Sequence, residues 1–400
     1  MNQRELFLRH VAQTSDEPML GIDINIVKAI GSTLTDVNGK TYTDLISGIS
    51  VSSIGHCHSK VVKAIQEQSE KFMHLMVYGE YNQKPQVDYA ALLCEQLPAA
   101  LNSVYFTTGG SEAVEAAVKL AKRVTGRHEI ISFKNAYHGS TQGALSLMGD
   151  EYFKNSFRPL IPGGRLLRFN SKEDLNLITG TSAAVVIEPV QGEAGVRIAD
   201  ASYLQMLRKR CSETGTLLVF DEIQTGFGRC GNLFAFQNCD VIPDVLLIAK
   251  GMGGGLPIGA MVASKELTQH FTTHPVLGHI NTFGGNALCV AAAKASLEVI
   301  LEEKLYKKAL WIEQSVKAKL KHSAIKELRM FGALGALEFE TDALNKAIIK
   351  ACIENGVISD WFLFCPKAMR IAPPLTISEK ELNGALDVVM KQIDRVSKMK

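Results

Sequence analysis

At 400 residues, with 46% hydrophobic and 21% charged residues, the chain is long enough for a large catalytic domain and a smaller one, and its composition is that of a globular protein, neither disordered nor fibrous. Its 43 basic and 41 acidic residues leave a net charge of +2 spread along the sequence, which gives no footprint for nucleic acid or a membrane surface; the mild basic cluster from Lys391 to Lys400 reads as a solvated helix end. No run approaches the roughly 20 apolar residues of a bilayer span, and Met1 to His10 mixes charged with apolar residues where a leader would be apolar, so a cytoplasmic protein is expected.

The N-terminal 50 residues hold short alternating segments and a hairpin turn at Asp36-Val37-Asn38-Gly39. Cys57 stands between His56 and His58, but three adjacent residues do not easily face one ion, so a local hydrogen-bonding role is the better reading. The eight cysteines show no CxxC or CxxxxH spacing, and reduced thiols are expected.

From about residue 104 to 262, apolar runs alternate with helical patterns, which predicts successive βα units and a mostly parallel sheet. The predicted strands are Val104–Phe106, Glu129–Phe133, Ala184–Ile187, Leu217–Phe220, Val245–Ile248 and Ile258–Ala263, with helices over Glu112–Arg123 and Tyr203–Glu213. After Asn286 an Ala-rich helical pattern runs to about Lys321, followed by strands near Gly332–Glu340 and Met369–Ile371. A last helix starts at Ser378, with Glu381 completing a capping box. The expected organisation is a large α/β domain over 56–295 and a small α+β domain built from both termini, 1–55 and 296–400.

In a parallel α/β sheet, ligands gather at the carboxyl ends of the strands. Glu188, Asp221 and Lys250 are each the first polar side chain after a buried run, spaced by about one βα unit, so topology alone brings them to one crevice. A lysine there reads in isolation as one that reaches solvent at a strand edge. The glycines that follow it, at 251 and 253–255, let a bulky group approach, and a buried lysine with a lowered pKa is suited to imine formation with an aldehyde. The same run fails as a dinucleotide fingerprint because Leu256 stands where glycine is needed. In the strand–turn–helix segment 104–122, Gly110 and Ser111 offer backbone N–H groups to an anion, or Ser111 or Thr108 simply caps the helix. Asp221 is suited to a protonated ring nitrogen or to a helix cap. Tyr137, in a loop after a strand, is a stacking face or an ordinary half-buried tyrosine. His138 beside it stacks, hydrogen-bonds or packs.

Taken in order, GHCH (55–58), TTGGSEAVEAAVKLAK (107–122), YHGST (137–141), IEPVQGEAG (187–195), FDEIQTGFGR (220–229), IAKGMGGGLPIGA (248–260), NTFGGN (281–286) and MRIAPPL (369–375) resemble the class III aminotransferases of the ornithine, acetylornithine and 4-aminobutyrate type, over nearly the whole chain. The resemblance implies pyridoxal 5′-phosphate, a fold of type I with a seven-stranded sheet, and a homodimer with shared active sites. It makes Lys250 the Schiff-base lysine, pairs Asp221 with the pyridine nitrogen, places Gln224 near the ring hydroxyl and Glu188 behind it. It gives the phosphate to Gly110 and Ser111, and takes Thr282 to the partner subunit's cofactor. Glu193 and Arg370 become a gate in which the arginine pairs with the glutamate for one substrate and with an oxo-acid carboxylate for the other; Asn281 is expected on the substrate side. The implied reaction moves an amino group from a donor to 2-oxoglutarate or pyruvate. A one-substrate aminomutase of the glutamate-1-semialdehyde type and a catalytically silent relative are the alternatives. Three positions depart from the pattern, the mildest being Gly109, where many relatives carry serine but backbone N–H groups do most of the phosphate binding. Ser140 stands where ornithine and acetylornithine enzymes carry an arginine, and Ile49 where ornithine enzymes carry a tyrosine, so the donor is left open.

Overall fold

The computed structural model describes residues 3–12, 14 and 19–398; Met1 and Asn2, and the end of the basic C-terminal cluster at Met399 and Lys400, lie outside them. A seven-stranded sheet runs in the order Ser103–Thr107, Gly259–Ala263, Val245–Ile248, Leu217–Asp221, Ser182–Ile187, Glu129–Phe133, Gly164–Leu167. Only Gly259–Ala263 is antiparallel to its neighbours. The central strands are buried throughout because both faces are covered. Alternate residues divide between the two sides: Val185, Ile187, Leu218 and Phe220 join one core, and Ala184, Val186 and Val219 join the other. On the second side the helix Gly110–Thr125 presents Ala113, Ala116, Ala117 and Ala121, whose small side chains let its N-terminus lie close to the strand ends.

The strand Gly164–Leu167 has no counterpart among the predicted ones. It is the sheet's edge, with Gly164 and Arg165 exposed, so it lacks the apolar run that marks a two-sided strand. The Ala-rich pattern after Asn286 is two helices, Ala287–Glu302 and Leu305–Lys319, broken where Lys304 takes a left-handed φ of 51°. The strand expected from Gly332 is instead a hairpin: Glu327–Phe331 and Leu334–Glu338 turn at Gly332, whose φ is 60°.

Both termini contribute to the smaller α+β part. Ile26–Ile30, Thr33–Asp36 and Thr41–Asp44 form a meander, and Val357–Ile358 pairs in parallel with Thr41–Asp44. The Asp36 turn is closed by its own carboxylate, which accepts from Asn38 N at 2.9 Å, Lys40 N at 3.0 Å and Tyr42 Oη at 3.0 Å. Nearby, His56 Nε2 lies 2.7 Å from Asp44 Oδ2, while Cys57 is exposed. A third sheet joins the hairpin 327–338 to Cys365–Ile371 and Trp361–Phe362. The closing helix Glu379–Ser397 starts with the expected Ser378–Glu381 capping box. Among the described residues no helix is long and apolar enough to cross a membrane.

Candidate active site

The strand ends open onto a cavity of about 470 Å³ whose walls include Gly110, Ser111, Tyr137, His138, Glu188, Asp221, Gln224 and Lys250. Asp221 ends the central strand Leu217–Asp221 and is 4% exposed. Its Oδ2 lies 2.7 Å from His138 Nδ1, and His138 Nε2 lies 3.2 Å from Ser132 Oγ, so one buried chain fixes the carboxylate from behind. Burial opposes a charged His138, yet the hydrogen bond and charge of Asp221, with Glu188 beyond, raise its pKa above the ordinary imidazole value. The histidine is therefore a fixed hydrogen-bonding partner of Asp221. That behind-the-carboxylate place, and Ser132 itself, were not visible in the sequence.

Lys250 opens a short 3-10 turn directly after the strand Val245–Ile248, with its backbone in the left-handed region at φ 47°. Such a conformation costs a non-glycine residue roughly 1–3 kcal/mol, and here it aims the side chain into the cavity wall. Burial lowers the Lys250 pKa; Glu193 and Asp221 work against that shift, and Arg370 adds to it. A larger fraction of neutral amine, the nucleophilic form, follows.

At the other wall, no side chain caps the helix Gly110–Thr125. Its N-cap is Gly109, and Thr108 turns its N–H and hydroxyl to Glu112 Oε2 at 2.9 and 2.7 Å. The capping alternative for Ser111 and Thr108 is thereby overturned, and a helix start at the cavity wall is suited to an anion. The Tyr137 loop reaches this end because Gly139, at φ 123°, has no Cβ; one would come within 2.0 Å of Ser111 Oγ. Gly192 makes the same allowance for Gln224, whose Nε2 is buried with no hydrogen-bond partner among the described residues. Glu188 accepts from Tyr137 N at 3.0 Å and Gly192 N at 3.1 Å, tying the two loops together, and burial lifts its pKa to about 7.

Glu193 and Arg370, 177 residues apart, form a two-bond pair: Nη1 to Oε1 at 3.1 Å and Nη2 to Oε2 at 3.2 Å. Both are buried, at 5% and 1% exposure. Burial works against the Glu193 charge, but Arg370, with Lys250 as a lesser contributor, holds its pKa below the usual value. Neither residue of the pair lines the cavity, though the charges of both act on Lys250, and other expected residues lie elsewhere too. Ser140 is exposed, and its hydroxyl lies 3.3 Å from Tyr137 Oη. Ile49 sits in a left-handed turn beside Val51, which does line the cavity. Asn281 is spent on other partners, donating to Glu112 in the helix Gly110–Thr125 and accepting from Phe283 N and Gly284 N in its own loop, and it faces a different cleft. Thr282 is exposed away from the chain's own cavity, 3.4 Å from Tyr78 Oη. One contact went unread in the sequence: Asp360 binds the Arg370 Nε at 2.7 Å. Its sole signal there is an acid beside Trp361 in an otherwise apolar stretch.

The family model described as Aminotransferase class-III matches residues 12–393. The chain belongs to the class-III aminotransferases. Acetylornithine aminotransferase from Methanopyrus kandleri is 37% identical over 392 residues, covering 96% of this chain and 97% of its own length. The enzyme of the same name from Clostridium acetobutylicum is 36% identical over 384 residues, covering 93% and 96%. Among solved structures, ornithine aminotransferase from Toxoplasma gondii superposes with a TM-score of 0.91 at 30% identity, covering 99% of this chain and 94% of that one. A transaminase from Virgibacillus gives 0.90 at 28% identity, covering 99% of each. This class-III aminotransferase thus shares its fold with those structures across nearly the whole chain, and its enzymatic class is that of an amino-group transferase.

Proposed function

We propose that the enzyme binds pyridoxal 5′-phosphate in the cavity beside Asp221 and moves the terminal amino group of a small donor to 2-oxoglutarate or pyruvate. The observation that carries this reading is Lys250: an amine of lowered pKa held by strained backbone in the same cavity as a buried carboxylate–imidazole pair and an uncapped helix start.

The residues fit the cofactor. Gly110 and Ser111 supply N–H groups for its phosphate, Tyr137 a face for its ring, and the partnerless Gln224 Nε2 a donor for its ring oxygen. Asp221, fixed from behind by His138, would hold a proton on its ring nitrogen. When bound, the cofactor supplies an aldehyde for the amine and a ring that withdraws electrons from the adjacent carbon. Lys250 Nζ would hold it covalently and, when free, would move a proton from the donor's carbon, as base and then acid. Glu193 covers Arg370 during the donor half. In the other half Arg370 Nη1 and Nη2 receive the oxo-acid carboxylate.

A homodimer completes this reading. Met73, Val276 and Phe283 expose 61%, 72% and 57% of their surface around the loop that carries Thr282, which favours burial against a second copy. Lys250→Ala tests the core. The expected result is loss of the lysine-bound cofactor absorbance and a fall in turnover of at least about 10²-fold, the lower range for a positioned acid–base group. A variant that keeps both would sink the assignment. Turnover of a single substrate without an acceptor would identify a mutase instead.

A further inference from the structure

Arg370 is held by two carboxylates, and only Glu193 belongs to the gate implied by its relatives. Glu193 takes the Nη1 and Nη2 end of the guanidinium, whereas Asp360 Oδ1 takes Nε at 2.7 Å. The guanidinium also stacks on Phe362, with its carbon 4.2 Å from the ring centroid, and donates to Trp361 O at 3.3 Å. The backbone repeats the grip: Arg370 N donates to Asp360 O at 2.9 Å, and Ser359 Oγ to Arg370 O at 2.7 Å. The same segment holds the opposing half. Leu363 N donates to Glu193 Oε2 at 3.2 Å, and Phe364 N to Glu193 O at 3.0 Å. Residues 359–364 therefore frame both sides of the gate.

We propose that Asp360 is a positioning residue for the gate: it anchors Arg370 through Nε, so that the gate opens by withdrawal of the Glu193 carboxylate while the guanidinium stays in place. This rests on the reading of Arg370 as the receptor for the oxo-acid carboxylate. Two physical arguments lead to it. A guanidinium buried this deeply becomes an uncompensated cation if its last carboxylate leaves, a strongly unfavourable state; Asp360 keeps it paired while Glu193 is away. And a carboxylate seeks a two-bond clasp on the planar fork. Asp360 uses Nε alone, so the Nη1–Nη2 end vacated by Glu193 is the end the substrate needs. Since Phe364 N grips the Glu193 backbone, only the glutamate side chain has to swing.

The test uses the holoenzyme and two readouts: KM in the separate donor and oxo-acid half-reactions, and the Kd of glutarate, an unreactive dicarboxylate, by calorimetry. Asp360→Ala is expected to raise the oxo-acid KM and the glutarate Kd about tenfold, with the donor half-reaction changing less than twofold. Asp360→Asn, which keeps an oxygen for Nε and disturbs folding less, is expected to fall between. In an Arg370→Ala background, Asp360→Ala is expected to add nothing, because it acts through the arginine. Equal losses in both half-reactions, full additivity with Arg370→Ala, or unchanged oxo-acid and glutarate binding in both Asp360 variants would overturn the proposal. If Arg370→Ala itself leaves oxo-acid KM and glutarate binding unchanged, the gate reading fails and takes the proposal with it; if Arg370→Ala weakens both and the Asp360 variants do not, the proposal fails alone.

Discussion

The site has two ends, the cavity at Asp221 and the buried Glu193–Arg370 pair whose charges act on Lys250, and they are built on different principles. At the Asp221 end, each chemical group ends or follows a strand of the large sheet, so its position is inherited from a core buried on both faces. At the Arg370 end, the groups sit on hairpins from distant parts of the chain and hold one another: Glu193, Arg370 and Asp360 are located by mutual ion pairs and by backbone bonds from 363 and 364. The first arrangement is rigid because the sheet is rigid. The second is exchangeable, since a paired carboxylate can be replaced by another carboxylate, as a site for two successive substrates requires.

Substitutions at the two ends should therefore fail in different ways. The largest effect is expected from Asp221→Ala, which leaves the buried His138 Nδ1 without its partner and removes the carboxylate proposed to face the cofactor ring. Leaving a buried polar group without its partner costs about 1–3 kcal/mol, and the proposed counter-charge of the ring is lost as well, so cofactor affinity and kcat should both collapse, measurable by absorbance titration and turnover with any donor. A variant that lost activity with only one of the two substrates would contradict a shared, sheet-built end. Arg370→Ala should instead discriminate. The oxo-acid kcat/KM is expected to fall by about 10- to 100-fold, the value of charged hydrogen bonds worth about 1.5–3 kcal/mol, with a much smaller change for a monoamine donor. Equal losses would remove the arginine from the gate.

A third variant asks how far the rigid end depends on what lies behind it. Glu222 is fully buried next to Asp221 and accepts Ala235 N and Phe236 N, with Phe236 N at 2.7 Å from Oε1; burial pushes its pKa up to about 7. A carboxyl raised in the folded state contributes stability that is present below its unfolded pKa, near 4.5, and lost as pH climbs toward 7. Glu222→Gln removes that slope and points an amide N–H at a backbone donor. Denaturant melts at pH 5 should show a loss of about 1–3 kcal/mol, and the gap to the wild type should narrow as pH rises to 7. A gap that widened with pH would mean that Glu222 is charged in the fold.

The same contrast decides what could be read from the sequence. Strands covered on both faces leave apolar runs, so every strand of the large sheet except Gly164–Leu167 was predicted, and Glu188, Asp221 and Lys250 fell together because each ends such a run. The edge strand is half-exposed and leaves no run. Neither does a helix break caused by one left-handed residue at Lys304. The pairing of Glu193 with Arg370 came from family likeness alone, as 177 residues separate them and no local pattern links them. Asp360 belongs to no motif, and its role exists only because a two-residue strand, Trp361–Phe362, folds back along Cys365–Ile371. Contacts made by hairpins folding over one another are set by tertiary pairing, which periodicity does not record.

Ser140 carries the smallest and most specific expectation. It is exposed on the Tyr137 loop, at the position where the family resemblance implies an arginine, and a neutral hydroxyl there offers a donor's distant carboxylate no charge. Ser140→Arg should restore that clamp, but an exposed ion pair is screened by water and salt and contributes only about 0.2–1 kcal/mol. The expected outcome is a KM for acetylornithine lowered by less than about fivefold, with no change for a monoamine that lacks the carboxylate, and an effect that shrinks as ionic strength rises. A gain of the same size for both donors would show that the arginine acts on the cofactor end, and the division between the two ends would not hold at this loop.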